Sequence, residues 1–144
     1  MLVERILREK GSDIASVDET ATVAEALGEL RRWNVGALVV SRDGEPLVGI
    51  ISERDIVRAL ADVGGDALDQ HVAELMTVDV VTVDRHAPLE KLMLVMTERR
   101  IRHVPVVEDG QLVGVISIGD VVKRRVEELE TEKAQISDYI NAGR

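Results

Sequence analysis

The chain has 144 residues, no cysteine and a formal net charge of −9. These values exclude disulfides, thiolate metal sites and cysteine nucleophiles, and they disfavour long nucleic acid, whose binding rests on basic patches that neutralise phosphate. Apolar residues make up 45% of the chain, yet Phe is absent and Trp and Tyr occur once each, so an aliphatic, β-branched core is expected.

The N-terminal MLVERILREKG lacks the apolar run of a signal peptide. No stretch approaches the ~18 apolar residues of a membrane span, so a soluble, cytoplasmic protein is expected. VERILRE (3–9) reads as a short helix and SDIASV as a strand. Thr22 with Glu25 makes a capping box ahead of Val23, Ala26, Leu27 and Leu30, whose i, i+3, i+4, i+7 spacing marks one face of a helix. Two β-rich runs, ALVV and LVGIIS, are joined across Asp43-Gly44 as a hairpin. A second helix opens after Ser52, and DVGGD (62–66) carries the glycine pair of a break.

The same order then returns. DQHVAEL (69–75) is a second short helix, and VDVVTVDRHAPLEKLMLVM (78–96) lies over residues 12–30 at a shift of 66. Pro88 suits a helix start, and Leu89, Leu92, Met93 and Met96 repeat the apolar face. HVPVVEDG (103–110) lies over ALVVSRDG, and LVGVISIGDVV (112–122) lies over LVGIISERDIV (47–57) at a shift of 65. Each half therefore reads strand, helix, strand, strand, helix, and halves of roughly 60 residues are near the lower limit for folding alone. Packing of the two sheets against each other, about a pseudo-two-fold axis with two related clefts, is expected.

Taken singly, the notable residues have ordinary readings beside functional ones. Ser-x-x-Asp before an apolar helix is a capping box. Gly49 and Gly114 mark strand positions where another backbone comes close. Pro105 lacks an N–H and suits a pairing gap. Trp33 reads as core or interface, His71 and His86 as surface, and Met76, Met93 and Met96 as core or interface filler. Three scattered histidines make a poor metal site. After Val121 the chain is strongly charged, but Val122, Val126, Leu129, Ile136 and Ile140 recur at roughly heptad spacing with Lys133 interrupting. That stripe reads as a solvated helical extension or as a helix on a partner subunit, and the second is favoured because an apolar stripe needs cover.

The doubled GIISERD (49–55) and GVISIGD (114–120), with DIASV, DVVTV, GALVV and RHVPVV, resemble a tandem pair of cystathionine-β-synthase (CBS) domains, a Bateman module, over about residues 2–125. The tail resembles that of bacterial stand-alone two-CBS proteins. The resemblance implies a mixed α/β (α+β) fold of two pseudo-symmetric β-α-β-β-α domains packed sheet to sheet: residues 1–66 with the N-terminal helix and linker, residues 67–125, and a helical extension at 126–144. It implies a non-catalytic, energy-sensing regulator that binds AMP, ADP or ATP, with NAD(H) or S-adenosylmethionine as rivals, and that forms a disc-like homodimer acting on another protein.

The resemblance also places the sites. Asp13, Ile14, Ala15, Val35, Gly36, Ala37, Arg102, Val115, Ser117 and Asp120 fall at a first cleft. Ile50, Ser52, Arg54, Asp55, Val80, Val81 and His103 fall at a second. The chemistry agrees with these assignments. An ionised carboxylate has two acceptors and no donor, which suits a ribose diol; a phosphate instead needs backbone N–H groups at a helix start, a hydroxyl or a cation. His103 reads equally as a ligand contact and as a satisfied strand histidine. Arg54 stands where the other copy has Gly119, so unequal clefts are expected. A structural dimerisation module with vestigial clefts is the alternative. An enzyme ranks last, since no nucleophile–base pair, phosphate loop or metal cluster is present in the sequence.

Overall fold

The computed structural model describes residues 2–11 and 13–143. Met1, Ser12 and Arg144, which stand in the expected first domain, at the start of the repeat and in the expected extension, lie outside them. The first half consists of β1 (Ser16–Asp18), α2 (Val23–Trp33), β2 (Ala37–Arg42), β3 (Glu45–Ser52) and α3 (Glu53–Val63), and it is preceded by α1 (Val3–Lys10). A 3-10 turn at Gly64–Asp69 and α4 (Val72–Leu75) lead to α5 (Leu89–Arg99), β4 (His103–Glu108), β5 (Gln111–Ser117) and α6 (Ile118–Ala142). No described helix is long and apolar enough to cross a membrane.

The repeat is visible in the packing. One core gathers Val17, Val23, Ala26, Leu30, Leu38, Val40, Ile51 and Ile56. The other gathers Val83, Leu89, Leu92, Met96, Val104, Val106, Ile116 and Val121, the residues that the alignment sets against them one by one. The helical faces follow the 3.6-residue period, except that Leu27 is 37% exposed. Both hairpins turn in two residues, with Arg42 paired to Glu45 and Glu108 to Gln111. Asp109 and Gly110 both take positive φ, at 50° and 76°, the conformation a tight hairpin of this hand demands.

The short helices cross over. Val3 and Ile6 of α1 are buried in the core of the second half, and Val72 of α4 is buried in that of the first. The free N–H groups of each helix start are satisfied there: Val3 and Glu4 donate to Ala87 and Arg85 (3.0 and 2.8 Å), Val72 and Ala73 to Ala21 and Glu19 (2.8 and 3.0 Å). The crossing explains the paired glycines. A Cβ at Gly49 would lie 2.7 Å from Met76 Sδ and 2.9 Å from the Thr77 carbonyl oxygen, and one at Gly114 would overlap the Leu7 side chain.

The second half departs from the expected pattern in one element. β1, β2 and β3 form a three-stranded sheet, but β4 and β5 pair alone, and the strand expected over DVVTV shrinks to a parallel bridge between Val83 and Val106. The reason is Pro105. In the first half Val39 N–H donates to Ala15 O at 3.1 Å. Pro105 occupies the equivalent position without a donor, so the ladder cannot extend towards Val81.

The remaining face of each hairpin is also covered. Ala37 and Val39 are 8% and 1% exposed although both point away from the Leu38–Val40 core. Pro105 on β4 is likewise buried. At this junction Gly36 approaches His103 so closely that an added Cβ would lie 3.3 Å from its ring.

Candidate functional site

Each Ser/Asp motif sits where a strand becomes a helix. Ser117 N–H donates to Asp120 Oδ2 at 2.9 Å, and Asp120 N–H to Ser117 Oγ at 3.2 Å. Ser52 and Asp55 make the same reciprocal pair at 2.9 and 3.3 Å. Both are therefore true capping boxes. Yet a cap needs only one carboxylate oxygen: in both boxes Oδ2 is engaged, and Oδ1 has no partner among the described residues. A box and a diol reader are thus compatible in one side chain.

The two junctions differ in what completes the strand beside them. At the second, Thr77 and Ile50 exchange both backbone hydrogen bonds, at 2.9 and 3.0 Å. At the first, the equivalent residue Val115 offers its carbonyl to a side chain. Lys10 Nζ donates to Val115 O and to Asp120 Oδ2, each at 2.7 Å. Burial raises the Asp120 carboxyl, but the Lys10 ammonium and the Ser117 N–H and hydroxyl outweigh it and hold the group below its ordinary value.

Among the expected first-cleft residues, Asp13 is exposed and Ala37 buried, while Ile14, Ala15, Val35, Gly36, Val115, Ser117 and Asp120 are all half-buried. The chain enters segment 13–15 three residues beyond Lys10, hence from the Val115–Asp120 contact. Arg102 has an exposed side chain, and its carbonyl accepts from Ile118 N–H at 2.8 Å. At the second cleft Ile50, Ser52, Asp55, Val80 and Val81 are half-buried. Arg54 is turned across to the other half, donating to Arg100 O at 3.4 Å.

His103, expected at the second cleft, lies against Gly36, expected at the first. Its ring abuts Gly36 and lies near Glu53, and its pKa is lowered by burial first and by Lys10 and Arg102, against the pull of Glu53 and Asp120. A histidine so shifted takes up its proton more readily when unfolded. Its contribution to stability is complete above its ordinary 6.5 and is lost as pH falls through the lowered value. Asp120 acts with the same sign further down, below its ordinary 3.8. Calorimetry is expected to show the melting temperature falling from about pH 7 to about pH 5, and His103→Gln to flatten that fall.

Sequence reasoning missed Lys10 and Glu53. Nothing in the repeat marks Lys10, because it lies on a helix whose crossing no local pattern encodes. Elsewhere, Trp33 is 38% exposed and donates to Glu29 at 3.2 Å, outside either core. His71 and His86 are exposed. Two surface grooves of about 550 and 570 Å³ lie away from both clefts, on α1 and beside α6, lined mostly by charges of both signs.

The CBS domain family matches residues 3–62 and 72–127. A CBS-domain-containing protein from Agrobacterium tumefaciens is 43% identical, with a TM-score of 0.84 over 86% of this chain and 92% of that one. A CBS domain protein from Pyrobaculum aerophilum, solved in complex with AMP, is 33% identical with a TM-score of 0.78 over 92% and 99%. The CBS domain pair of protein MJ0100, solved with 5′-methylthioadenosine and S-adenosyl-L-methionine, is 27% identical with a TM-score of 0.79 over 89% and 98%. Against curated relatives from Arabidopsis thaliana and Acidianus ambivalens the chain spans 61% and 64% of the relative's own length.

Proposed function

The chain belongs to the CBS-domain family, with both repeats present, and from that premise we propose that it is a non-catalytic regulatory module whose clefts bind an adenosine-containing ligand. The observation that carries this reading is the Asp120 junction. A half-buried carboxylate with one open oxygen caps a helix start and is held by Lys10, and the residues that the resemblance sets around it, Ile14, Ala15, Val35 and Gly36, are half-buried too. A ribose diol, a 5′-phosphate and a purine need these three environments respectively.

The ligand favoured for this cleft is AMP or another adenine nucleotide. Lys10 is the reason: a cation 2.7 Å from Asp120 cancels the repulsion that a lone carboxylate would exert on a phosphate. The AMP held by the Pyrobaculum relative supports the same class. NAD(H) or S-adenosylmethionine would use the same adenosine contacts with a different far end. The Asp55 cleft has no such cation on its carboxylate among the described residues, so it suits a less negative ligand.

Regulation follows from where these groups come from. Segment 13–15 belongs with the first half, where Ala15 O accepts from Val39 N–H, whereas Asp120, Val115 and, through α1, Lys10 belong with the second. A ligand touching both favours one arrangement of the halves over another, by as much as its affinities for the two differ. The regulated partner would read that arrangement, with a second copy of the chain completing a homodimer.

The test is a thermal-shift panel of AMP, ADP, ATP, NAD(H) and S-adenosylmethionine, with native mass spectrometry of any retained ligand. Selective stabilisation is expected, about 2.7 kcal/mol for a ligand at a hundred times its Kd. No stabilisation by any of them at millimolar concentration would instead support a structural dimerisation module.

A further inference from the structure

We propose that the distal part of α6 pairs with the same helix of a second copy of this chain, parallel and in register, as a short two-stranded coiled coil. The helix runs 25 residues, about 37 Å at 1.5 Å per residue. Only Val121 and Arg124 of it are buried, and from Leu129 to Gly143 every residue is exposed. An isolated helical stretch of about 15 residues, the length left exposed here, is marginal in water. Five apolar side chains recur along it at alternating steps of four and three: Val122, Val126, Leu129, Ile136 and Ile140, each 48–61% exposed. Lys133 fills the one remaining position of that seam.

Charge decides the occupant and its direction. With Val126 and Leu129 as the first and fourth heptad positions, Arg125 and Glu130 flank the seam. In a parallel in-register pair, Arg125 faces Glu130 of the partner subunit, and the two-fold axis repeats the contact. Arg125 already holds Glu128 of its own helix at 3.0 Å, and a guanidinium has donors for a second carboxylate. The antiparallel overlap that covers the whole seam sets Glu130 and Glu132 against the same residues of the partner, like against like. A shorter antiparallel overlap relieves this repulsion but leaves two apolar residues of the seam uncovered, Ile136 and Ile140 when shifted one way and Val122 and Val126 when shifted the other. Lys133 then gains a purpose. A polar residue at one core position lowers stability while fixing register and strand number, and its stem can lie along the seam with the ammonium in water.

The absence of native cysteine makes the test clean. Ile136→Cys and Leu129→Cys are each introduced alone into the full chain, with Gln135→Cys on the outer face as control. All three positions are exposed, so the fold is undisturbed. Under mild oxidation both seam variants are expected to give disulfide-linked dimers, with at least about fivefold less from Gln135→Cys, since residues facing themselves across a parallel seam meet bridging geometry. Absence of cross-linking at both seam positions, or equal cross-linking at Gln135, overturns the proposal. So does efficient linking between mixed Val126→Cys and Ile136→Cys chains, which only the antiparallel pair brings together.

Discussion

Replacing Gly49 with valine is expected to lower the melting temperature by about 10 °C, equivalent to roughly 3 kcal/mol in a domain of this size. The new Cβ would lie 2.7 Å from Met76 Sδ and 2.9 Å from Thr77 O. The Met76 side chain can rotate away, but the Thr77 carbonyl cannot, because Thr77 and Ile50 hold each other through two backbone hydrogen bonds. Overpacking costs about 1–3 kcal/mol, and loosening those bonds adds about 1 kcal/mol each. The equivalent change at Gly114 meets only the Leu7 side chain and is expected to cost about 1 kcal/mol. Gly65→Ala has nothing near its new methyl and serves as a neutral control, within about 0.5 kcal/mol of wild type. Calorimetry of the three variants checks the order. A Gly49→Val protein that melts with the control would show that α4 and the following turn do not seat on β3 as described.

Asp120→Ala is expected to weaken adenine-nucleotide binding roughly tenfold to a hundredfold, the equivalent of one or two charge-assisted hydrogen bonds. The same change removes half of a capping box, so a stability loss of about 1 kcal/mol accompanies it, and affinity must be read by titration calorimetry well below the melting transition. Lys10→Met separates the two roles. It is expected to weaken AMP while sparing adenosine, because it removes the cation and leaves the diol reader. Asp55→Ala is expected to change only the second cleft, visible as altered stoichiometry at an unchanged first affinity. Unaltered AMP affinity in Asp120→Ala would sink the assignment of that carboxylate to the ribose.

Much of the fold was legible because the chain states it twice. The positions that pair at shifts of 66 and 65 are those that fill equivalent places in the two cores, Leu38 with Val104 and Ile51 with Ile116. Periodicity is a local property, so helices, hairpins and the Ser52 and Ser117 capping boxes could be read from short windows; at Thr22 only half of the expected box forms, the hydroxyl accepting from Glu25 N–H. The reading of Pro105 as a pairing gap was also local, since a missing N–H is missing in any fold. What failed to appear was non-local. A full strand was expected over DVVTV, yet the missing donor on Pro105 limits it to one bridge. Trp33, read as core or interface, lies outside both cores, 38% exposed and bonded to Glu29.

The sequence alone determined the doubled unit, its family resemblance, the two caps and the inequality of Arg54 and Gly119. These depend on residue type and spacing, which the chain carries in itself. Only the tertiary structure decided which helix covers which half. Because α1 crosses to the second half, Lys10 arrives at Asp120, more than a hundred residues away in sequence, and His103 comes to rest against Gly36 with Glu53 nearby. The charge around each Ser/Asp junction is set in part by such long-range meetings, and no local pattern records them.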